Sequence, residues 1–275
     1  MIALELACVA IVGLYVATRL ARADDRAAVL RRFALLAVAS WLAEDTVIRA
    51  YDFYAYSPRW SVFVDRVPLM ILVIWPVVID SAAALARRLL GDSHPRIPLL
   101  AAAFVLADAS LIEPIAVRAG LWWWHEPGLF AVPPIGILGW AVFAVAAVAV
   151  FEANQRAGRR PVADAAALVI APVFAHVVLV ALWWACFRWI NHTVPAWPAV
   201  AIAWLVLLAA AALAWRRRLR DRIPLIELLV RAPAAGFFFV LLALHGGGLP
   251  ALVAYALAFA PPYLALMRWG RAAAR

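Results

Sequence analysis

The chain has 275 residues, of which 68% are hydrophobic and 15% are charged, whereas a soluble domain carries about 25% charged residues. Its formal net charge of +9 comes from 25 basic residues. These are all arginines in short segments between apolar runs, and they form no basic, aromatic-interleaved surface of the kind that binds nucleic acid. The composition therefore excludes a soluble nucleic-acid-binding domain and indicates a protein embedded in the lipid bilayer.

Apolar runs follow one another along the whole chain, and most are long enough to cross about 30 Å of hydrocarbon as a helix. The runs predicted to span the membrane are 2–20, 33–50, 61–86, 97–117, 133–152, 164–186, 197–215, 233–246 and 249–267. The predicted fold is all-α: residues 1–275 form one polytopic bundle of about nine transmembrane helices. Eight is the alternative, because 233–246 is short. That helix could instead begin near Ile223 and bend at Pro233.

The arginines also predict the orientation of the bundle. If the N-terminus lies outside, only five fall in outer segments, namely Arg49, Arg59, Arg66, Arg118 and Arg188, and the other 20 face the cytoplasm. Positive charge concentrates on the cytoplasmic side of membrane proteins. The distribution predicts a multi-pass protein of the inner (cytoplasmic) membrane with its N-terminus outside and its C-terminus in the cytoplasm.

Two stretches of the sequence match each other. The first runs Glu44-x4-Arg49-Ala50, an aromatic cluster, then Val67-Pro68-x6-Trp75. The second runs Glu113-x4-Arg118-Ala119, another aromatic cluster, then Val132-Pro133-x6-Trp140. Shared intervals on both sides of the aromatic clusters indicate an internal duplication of helical hairpins, at about 33–86 and 97–152, and both copies run the same way through the membrane.

Ionisable residues inside a membrane are costly, usually face the bundle interior and often mark function. The predicted spans contain Glu44, Asp45, Asp65, Asp80, Asp108, Glu113 and His176. We interpret Asp80 and His176 as structural and expect Glu44, Asp108 and Glu113 to meet in one apolar pocket. A carboxyl group in such a pocket keeps its proton near neutral pH, so it can protonate an alkene while a partner carboxylate stabilises the cation. No His, Cys and carboxylate set has metal-ligand spacing, so neither a metal nor another cofactor is expected.

The outer loops are rich in aromatic side chains. The ordinary interpretation is an interfacial belt, and the alternative is that these rings cover a long apolar substrate, since aromatic faces stabilise a cation. On the second interpretation, the residues predicted to bind substrate are Arg49, Tyr54, Tyr56, Asp65, Arg118, Trp122, Trp124 and Trp140. The sequence assigns no role to His125 or Glu126 in the same loops.

One family resembles this chain in these motifs. The stretch from Asp108 through Glu113-Pro114, Arg118 and Trp122 to Trp124, continuing to Val132-Pro133 and Leu138-Gly139-Trp140, is similar to the membrane carotenoid-biosynthesis family that includes carotenoid 1,2-hydratases of the bisanhydrobacterioruberin hydratase type. The family usually has Asn-Phe where this chain has Gly136-Ile137. The resemblance implies a membrane enzyme that adds water across a terminal double bond of an acyclic carotenoid without a redox cofactor. It also implies other carotenoid-pathway enzymes as partners.

Two other functions remain open at this point. A lycopene-type cyclase or an isomerase also begins by protonating a polyene, although the Pro-x-Glu-Glu motif typical of the membrane cyclases is missing from the sequence. Repeats with charges near the midplane also occur in transporters, so the chain could instead bind or transport a polyene or lipid without changing it. The mass of the pigment after exposure to the protein separates hydration, which adds one water, from both of these functions.

Overall fold

Backbone amides in lipid must be hydrogen-bonded within their own segment, and the apolar runs form helices. In the computed structural model, which describes residues 1–158 and 160–267, the helices begin with α1 Ile2–Ala21, α2 Arg26–Tyr51, α3 Leu69–Leu90, α4 Ile97–Arg118 and α5 Pro134–Arg156. The chain continues with α6 Pro161–Asp164, α7 Ala167–Leu182, a π-helical turn Trp183–Phe187, α8 Arg188–Ile190 and α9 Ala196–Arg216. It ends with α10 Leu225–Leu229, α11 Ala232–His245, α12 Pro250–Leu257 and α13 Ala260–Leu266.

Seven helices of the described residues are long and apolar enough to cross a membrane. They are α1, α3, α4, α5, the continuous helix Pro161–Ile190, α9 and the helical segment Leu225–His245. The predicted membrane protein of helical-bundle type is thereby confirmed, while the count of nine spans stays a prediction. Helix α2, which contains the predicted span 33–50, is not among these seven helices. It has 26 residues, and its second half contains Glu44, Asp45 and Arg49.

Two predicted boundaries change. The span expected at 61–86 was wrong at its start, because Phe63–Val64 (β2) pairs with Val67–Pro68 (β3) in a small antiparallel hairpin and α3 begins only at Leu69. Pro68 holds the preceding residue in extended conformation, so the helix cannot begin earlier. The eighth span takes the longer form, from Leu225 to His245, interrupted just before Pro233. The ninth consists of two short helices within 250–266.

Five helices form a closed ring. Helix α2 packs against α3, α3 against α4, α4 against α5, α5 against α7, and α7 returns to α2. Helix α3 is the most enclosed, whereas α9 is the most exposed and packs against α12 and α13. The ring places the outer halves of the two predicted hairpins, α2–α3 and α4–α5, around one interior space.

An aromatic ribbon closes the end of this ring at which α2 and α4 end. Strand β1 (Tyr54–Tyr56) follows α2, strand β4 (Trp122–Trp124) follows α4, and the two pair antiparallel with Tyr54 opposite Trp124. Backbone bonds extend the ladder at both ends, from His125 N to Phe53 O (2.8 Å) and from Ser57 N to Leu121 O (3.0 Å). Helix α2 can turn directly into the ribbon because Asp52 adopts the left-handed conformation (φ 50°) that ends the helix.

Arginine–carboxylate pairs hold the opposite, arginine-rich end of the bundle together. Arg87 on α3 lies 2.7 Å from Glu152 on α5, and Arg32 on α2 lies 3.2 Å from Asp164 on α6. Arg88 reaches Glu227 on α10 (3.7 Å), and Arg19 reaches Asp80 (2.8 Å). This end is the one that the arginine distribution assigns to the cytoplasm. Of the arginines counted for that assignment, Arg159, Arg268, Arg271 and Arg275 lie outside the described residues.

Candidate active site

The ring of helices and the aromatic ribbon enclose a cavity of about 370 Å³. Its walls come from α2, α3, α5 and α7, and its lining is mainly aromatic and aliphatic. Two carboxylic acids, Glu44 of α2 and Glu113 of α4, both face it. We call this cavity the pocket.

Glu44 is held by three neutral donors. The Tyr54 hydroxyl donates a short hydrogen bond to Oε2, the Tyr56 hydroxyl donates to the same oxygen at 2.9 Å, and Trp75 Nε1 of α3 donates to Oε1 at 3.0 Å. Burial, followed by the charge of Glu44, raises the pKa of the Tyr54 and Tyr56 phenols well above their ordinary value. Both therefore keep their protons at physiological pH.

Glu113 has a matching set of partners. Trp122 Nε1 (2.8 Å) and Trp124 Nε1 (3.0 Å) donate to Oε2, and Trp140 Nε1 of α5 donates to Oε1 (2.8 Å). Its side chain is 2% exposed. An indole N–H only donates, so three donors converge on one carboxyl group.

The ribbon explains why these donors reach the acids. Alternate residues of a strand point to the same side, so Tyr54 and Tyr56 of β1 and Trp122 and Trp124 of β4 all face the pocket, and the remaining position on each strand faces away. Further from the ribbon, the rings of Trp75 and Trp140 lie 4.6 Å apart between centroids. Each acid thus accepts from two side chains of one strand and one tryptophan of the helix that follows.

Glu113 is buried and Glu44 is half-buried, and neither has an arginine partner within the described residues. Asp45, Glu152, Asp164 and Glu227 are buried as well, but each forms an ion pair with arginine. A buried charge without a counter-ion is costly unless hydrogen bonds compensate it. The pocket therefore keeps two carboxyl groups whose charge is not neutralised by a neighbouring cation.

The structure does not bring Asp108 to the pocket. Its carboxylate forms a short ion pair with Arg231 and accepts a hydrogen bond from the Tyr263 hydroxyl at 2.9 Å, while Arg231 also donates to Ser81. The expectation that Asp108 meets Glu44 and Glu113 was wrong, because this aspartate faces α11 and α13 and joins them to the ring.

Three residues predicted to bind substrate also lie away from the pocket lining. Arg49 pairs with Asp45 (2.7 Å) and with Asp65 in the turn of the β2–β3 hairpin. Arg118 donates to the carbonyl of His245 (2.9 Å), which ties α4 to the end of α11. The other five, Tyr54, Tyr56, Trp122, Trp124 and Trp140, line the pocket. Their role in binding stays a prediction.

Sequence reasoning missed several pocket residues. Trp75 was noted only as part of the repeat, although its match with Trp140 predicts an equivalent position. His176 lines the pocket from α7, and Trp183 and Trp184 extend the wall through the π-helical turn. Ala50, Tyr51 and Trp184 are exposed at the surface of the bundle. We call these three residues the mouth of the pocket, and no sequence signal distinguished them from an interfacial belt.

Other titratable groups near the ribbon lie outside the pocket lining. His125 contacts the Asp52 carbonyl, and Glu126 accepts a hydrogen bond from Asn191 at 2.8 Å. Within the described ranges, no group of three His, Cys, Asp or Glu side chains is arranged to hold a metal ion. The groups with which the pocket can do chemistry are therefore two carboxylic acids and the imidazole of His176, among phenols and indoles.

Comparison with known proteins agrees with the resemblance seen in the motifs. The chain matches no curated protein and no solved structure. The family model described as carotenoid biosynthesis protein matches residues 1–209, which include the ring of five helices, the ribbon and both pocket acids. The chain therefore belongs to the carotenoid biosynthesis protein family.

Proposed function

We propose that this protein adds water across a terminal double bond of an acyclic carotenoid or related isoprenoid, in a reaction that begins with protonation by Glu44. The observation that carries the proposal is the pair of glutamates that share one aromatic pocket and have only neutral hydrogen-bond partners. Membership of a carotenoid biosynthesis family supports a hydrophobic isoprenoid substrate. The family assignment alone does not select hydration.

The donor sets give the two acids different roles. A tyrosine hydroxyl both donates and accepts, so Tyr56 can turn to accept a proton carried by Glu44, and the protonated acid leaves no group unpaired. The three indoles around Glu113 only donate, which favours the ionised carboxylate. Glu44 is thus suited to give up a proton, and Glu113 to stabilise a nearby positive charge.

The proposed reaction is balanced by one water. The Glu44 proton adds to the less substituted carbon of the terminal double bond, and the neighbouring carbon becomes a tertiary cation. The rings of Trp75 and Trp140, tilted by 32° with their centroids 4.6 Å apart, and the Glu113 carboxylate stabilise this cation. The oxygen of a water molecule then bonds to the cation, and the proton that this water releases replaces the one given up by Glu44, which leaves a tertiary alcohol and restores the acid.

The shape of the pocket supports entry from the lipid. The ribbon covers its outer end, whereas the mouth opens at the side of the bundle between α2 and the π-helical turn. A cavity of about 370 Å³ is small for a ligand site, since pockets for drug-sized ligands span about 300–1,000 Å³. We infer that only the end of a long polyene enters, while the rest of the chain stays in the bilayer.

Expression in a host that accumulates lycopene tests the proposal. The expected product has the mass of the substrate plus one water, and Glu44→Gln lowers its yield by about 100-fold or more, because an amide cannot supply the proton. Glu113→Gln should lower the yield by a similar factor, since the amide offers one acceptor oxygen to three donors. Glu126→Gln is the matched control, because it makes the same change outside the pocket.

Other outcomes select other functions. A product of unchanged mass but altered chromatographic retention would favour the cyclase or isomerase alternative. Purified protein that binds several acyclic carotenoids and never changes their mass would overturn the proposed hydration in favour of binding or transport.

A further inference from the structure

His176 is a polar residue of α7 that lines the pocket and takes no part in the two donor sets. It lies in the largely aliphatic stretch Ala167–Leu182, opposite α2, and is half-buried. An imidazole among aliphatic side chains within a membrane is costly. Two hydrogen bonds of the ring compensate this cost.

Two side chains of α2 hold the ring. Nε2 of His176 lies 2.6 Å from Thr46 Oγ1, and Nδ1 lies 3.2 Å from the Tyr51 hydroxyl. The Thr46 hydroxyl directs its single hydrogen back to the carbonyls of Leu42 and Ala43, so toward His176 it can only accept. This network assigns the hydrogen of the neutral imidazole to Nε2 and leaves the lone pair on Nδ1.

The lone pair belongs to the nitrogen on the side of the mouth. Along α2, Glu44 and Tyr51 both line the pocket and are separated by two helical turns, which corresponds to about 10 Å. Tyr51 is one of the exposed mouth residues (38% exposed). His176, bonded to Thr46 and Tyr51, therefore lies on the wall between the acid and the entrance.

We propose that His176 Nδ1 binds the water that is added and takes its proton; this inference rests on the proposed hydration. The oxygen of the water bonds to the tertiary cation as one of its hydrogens passes to Nδ1, which gives the alcohol and an imidazolium. The imidazolium proton then returns to the Glu44 carboxylate through water in the emptied pocket, so the cycle restores both groups and consumes one water. The contact with Tyr51 is at the long end of hydrogen-bond distances, so it can yield to water.

The remaining acid is poorly suited to this step. Glu113 already accepts three hydrogen bonds from indoles, and an added water would compete with them. In His176, a hydrogen bond of 2.6 Å to Thr46 fixes Nε2, whereas Nδ1 has only the long contact of 3.2 Å with Tyr51. The geometry therefore separates the proton donor, the cation stabiliser and the water-binding base.

Isotopes from solvent separate the two halves of the reaction. Purified wild type and His176→Gln are incubated with lycopene in D2O containing H2 18O. If protonation reverses, recovered substrate carries deuterium at the less substituted carbon of the double bond, or its double bond has shifted. Capture of water leaves 18O in the alcohol. We expect His176→Gln to keep deuterium incorporation within about twofold and to lose 18O incorporation by about 100-fold. His192→Gln, the same change in the outer loop, is the control.

Each outcome decides a separate claim. Retained deuterium incorporation proves that the variant is folded and binds substrate, so its loss of 18O supports the inference. Normal 18O incorporation by His176→Gln overturns the inference and leaves the proposed function standing. The same conclusion follows if His176→Gln incorporates neither isotope but still binds lycopene, as shown by a shift of the lycopene absorption band. Wild type that incorporates neither isotope overturns the proposed function and this inference together.

Discussion

Gly136 of α5 determines where one donor of Glu113 can lie. A Cβ atom at this position would approach Cζ2 of Trp124 to 2.5 Å, a separation that non-bonded carbon atoms do not adopt. The ring of Trp124 therefore lies directly against the backbone of α5, with its Nε1 3.0 Å from Glu113. A larger side chain at position 136 could not be accommodated without moving that ring.

Gly136→Ala should accordingly displace Trp124 and remove one hydrogen bond from Glu113. We expect hydration to fall by about tenfold, since one hydrogen bond to a charged group contributes about 1.5–3 kcal/mol, and we expect the near-ultraviolet circular dichroism of the tryptophans to change. Gly139→Ala is the control, because its Cβ would meet Leu179 at an ordinary 3.5 Å. Equal activity of both variants would contradict this role of Gly136.

The acids show what sequence reasoning can and cannot find at the scale of the residue. An acid in an apolar run is visible in the sequence, which is why Glu44 and Glu113 were identified. Nothing in the sequence showed that Asp108 is paired, because its partner Arg231 lies 123 positions away. It lies five residues from Glu113 on α4, about 1.4 turns, so the two side chains leave the helix about 140° apart and Asp108 faces outward from the ring.

Asp108 should act on stability and leave the chemistry unchanged. Its side chain is 16% exposed beside Arg231, which is 12% exposed, and removing one partner of such a pair costs about 3–5 kcal/mol. Asp108→Asn should lower the thermal unfolding temperature in detergent, while the folded fraction keeps its turnover rate. The double variant Asp108→Leu with Arg231→Met should recover most of the stability, since no unpaired charge remains. Normal stability with lost turnover would restore Asp108 to the catalytic group.

At the scale of the element, the ribbon is what joins the two hairpins. The sequence predicted both aromatic segments but gave no sign of their pairing, because two strands of three residues have too little pattern to reveal their register. If a two-fold axis along the membrane normal relates the two hairpins, it also relates β1 to β4. Two strands that lie across such an axis run in opposite directions, which gives the antiparallel pairing. The matching donors of Glu44 and Glu113 therefore support the duplication inferred from the sequence, which we propose as the origin of the pocket.

Entry through the mouth requires no movement of the ribbon, and a disulfide can test this. Ala55 and Trp123 are opposite each other on β1 and β4 and point away from the pocket, and their Cα separation in such a pair, about 4.5–5.5 Å, suits a disulfide. With Cys8 and Cys186 replaced by alanine, the Ala55→Cys, Trp123→Cys variant should form the bridge and keep its turnover within about twofold. Turnover that is lost on oxidation and returns on reduction would show that substrate passes through the ribbon.

At the scale of the whole molecule, charge and pocket lie at opposite ends. The ion pairs of Arg32, Arg87 and Arg88 gather the ends of α2, α3, α5, α6 and α10, whereas the ribbon, the mouth and both glutamates occupy the other half. If the arginine-rich end faces the cytoplasm, as the positive-inside rule predicts, the pocket opens to the outer leaflet. A long polyene would then be modified at the end that reaches the outer half of the membrane.

Labelling of intact cells tests this orientation. In a Cys186→Ala background, His192→Cys places a thiol in the exposed loop on the ribbon side, and Asp92→Cys places one in the exposed loop between α3 and α4 at the arginine-rich end. A membrane-impermeant maleimide should label position 192 in spheroplasts and should reach position 92 only after lysis, because the intervening helices cross the bilayer. Cys8 is buried and gives the background signal in the parent protein. Labelling of position 92 alone in intact spheroplasts would invert the topology and place the mouth of the pocket in the cytoplasmic leaflet, where the hydroxylated end of the product would also have to emerge.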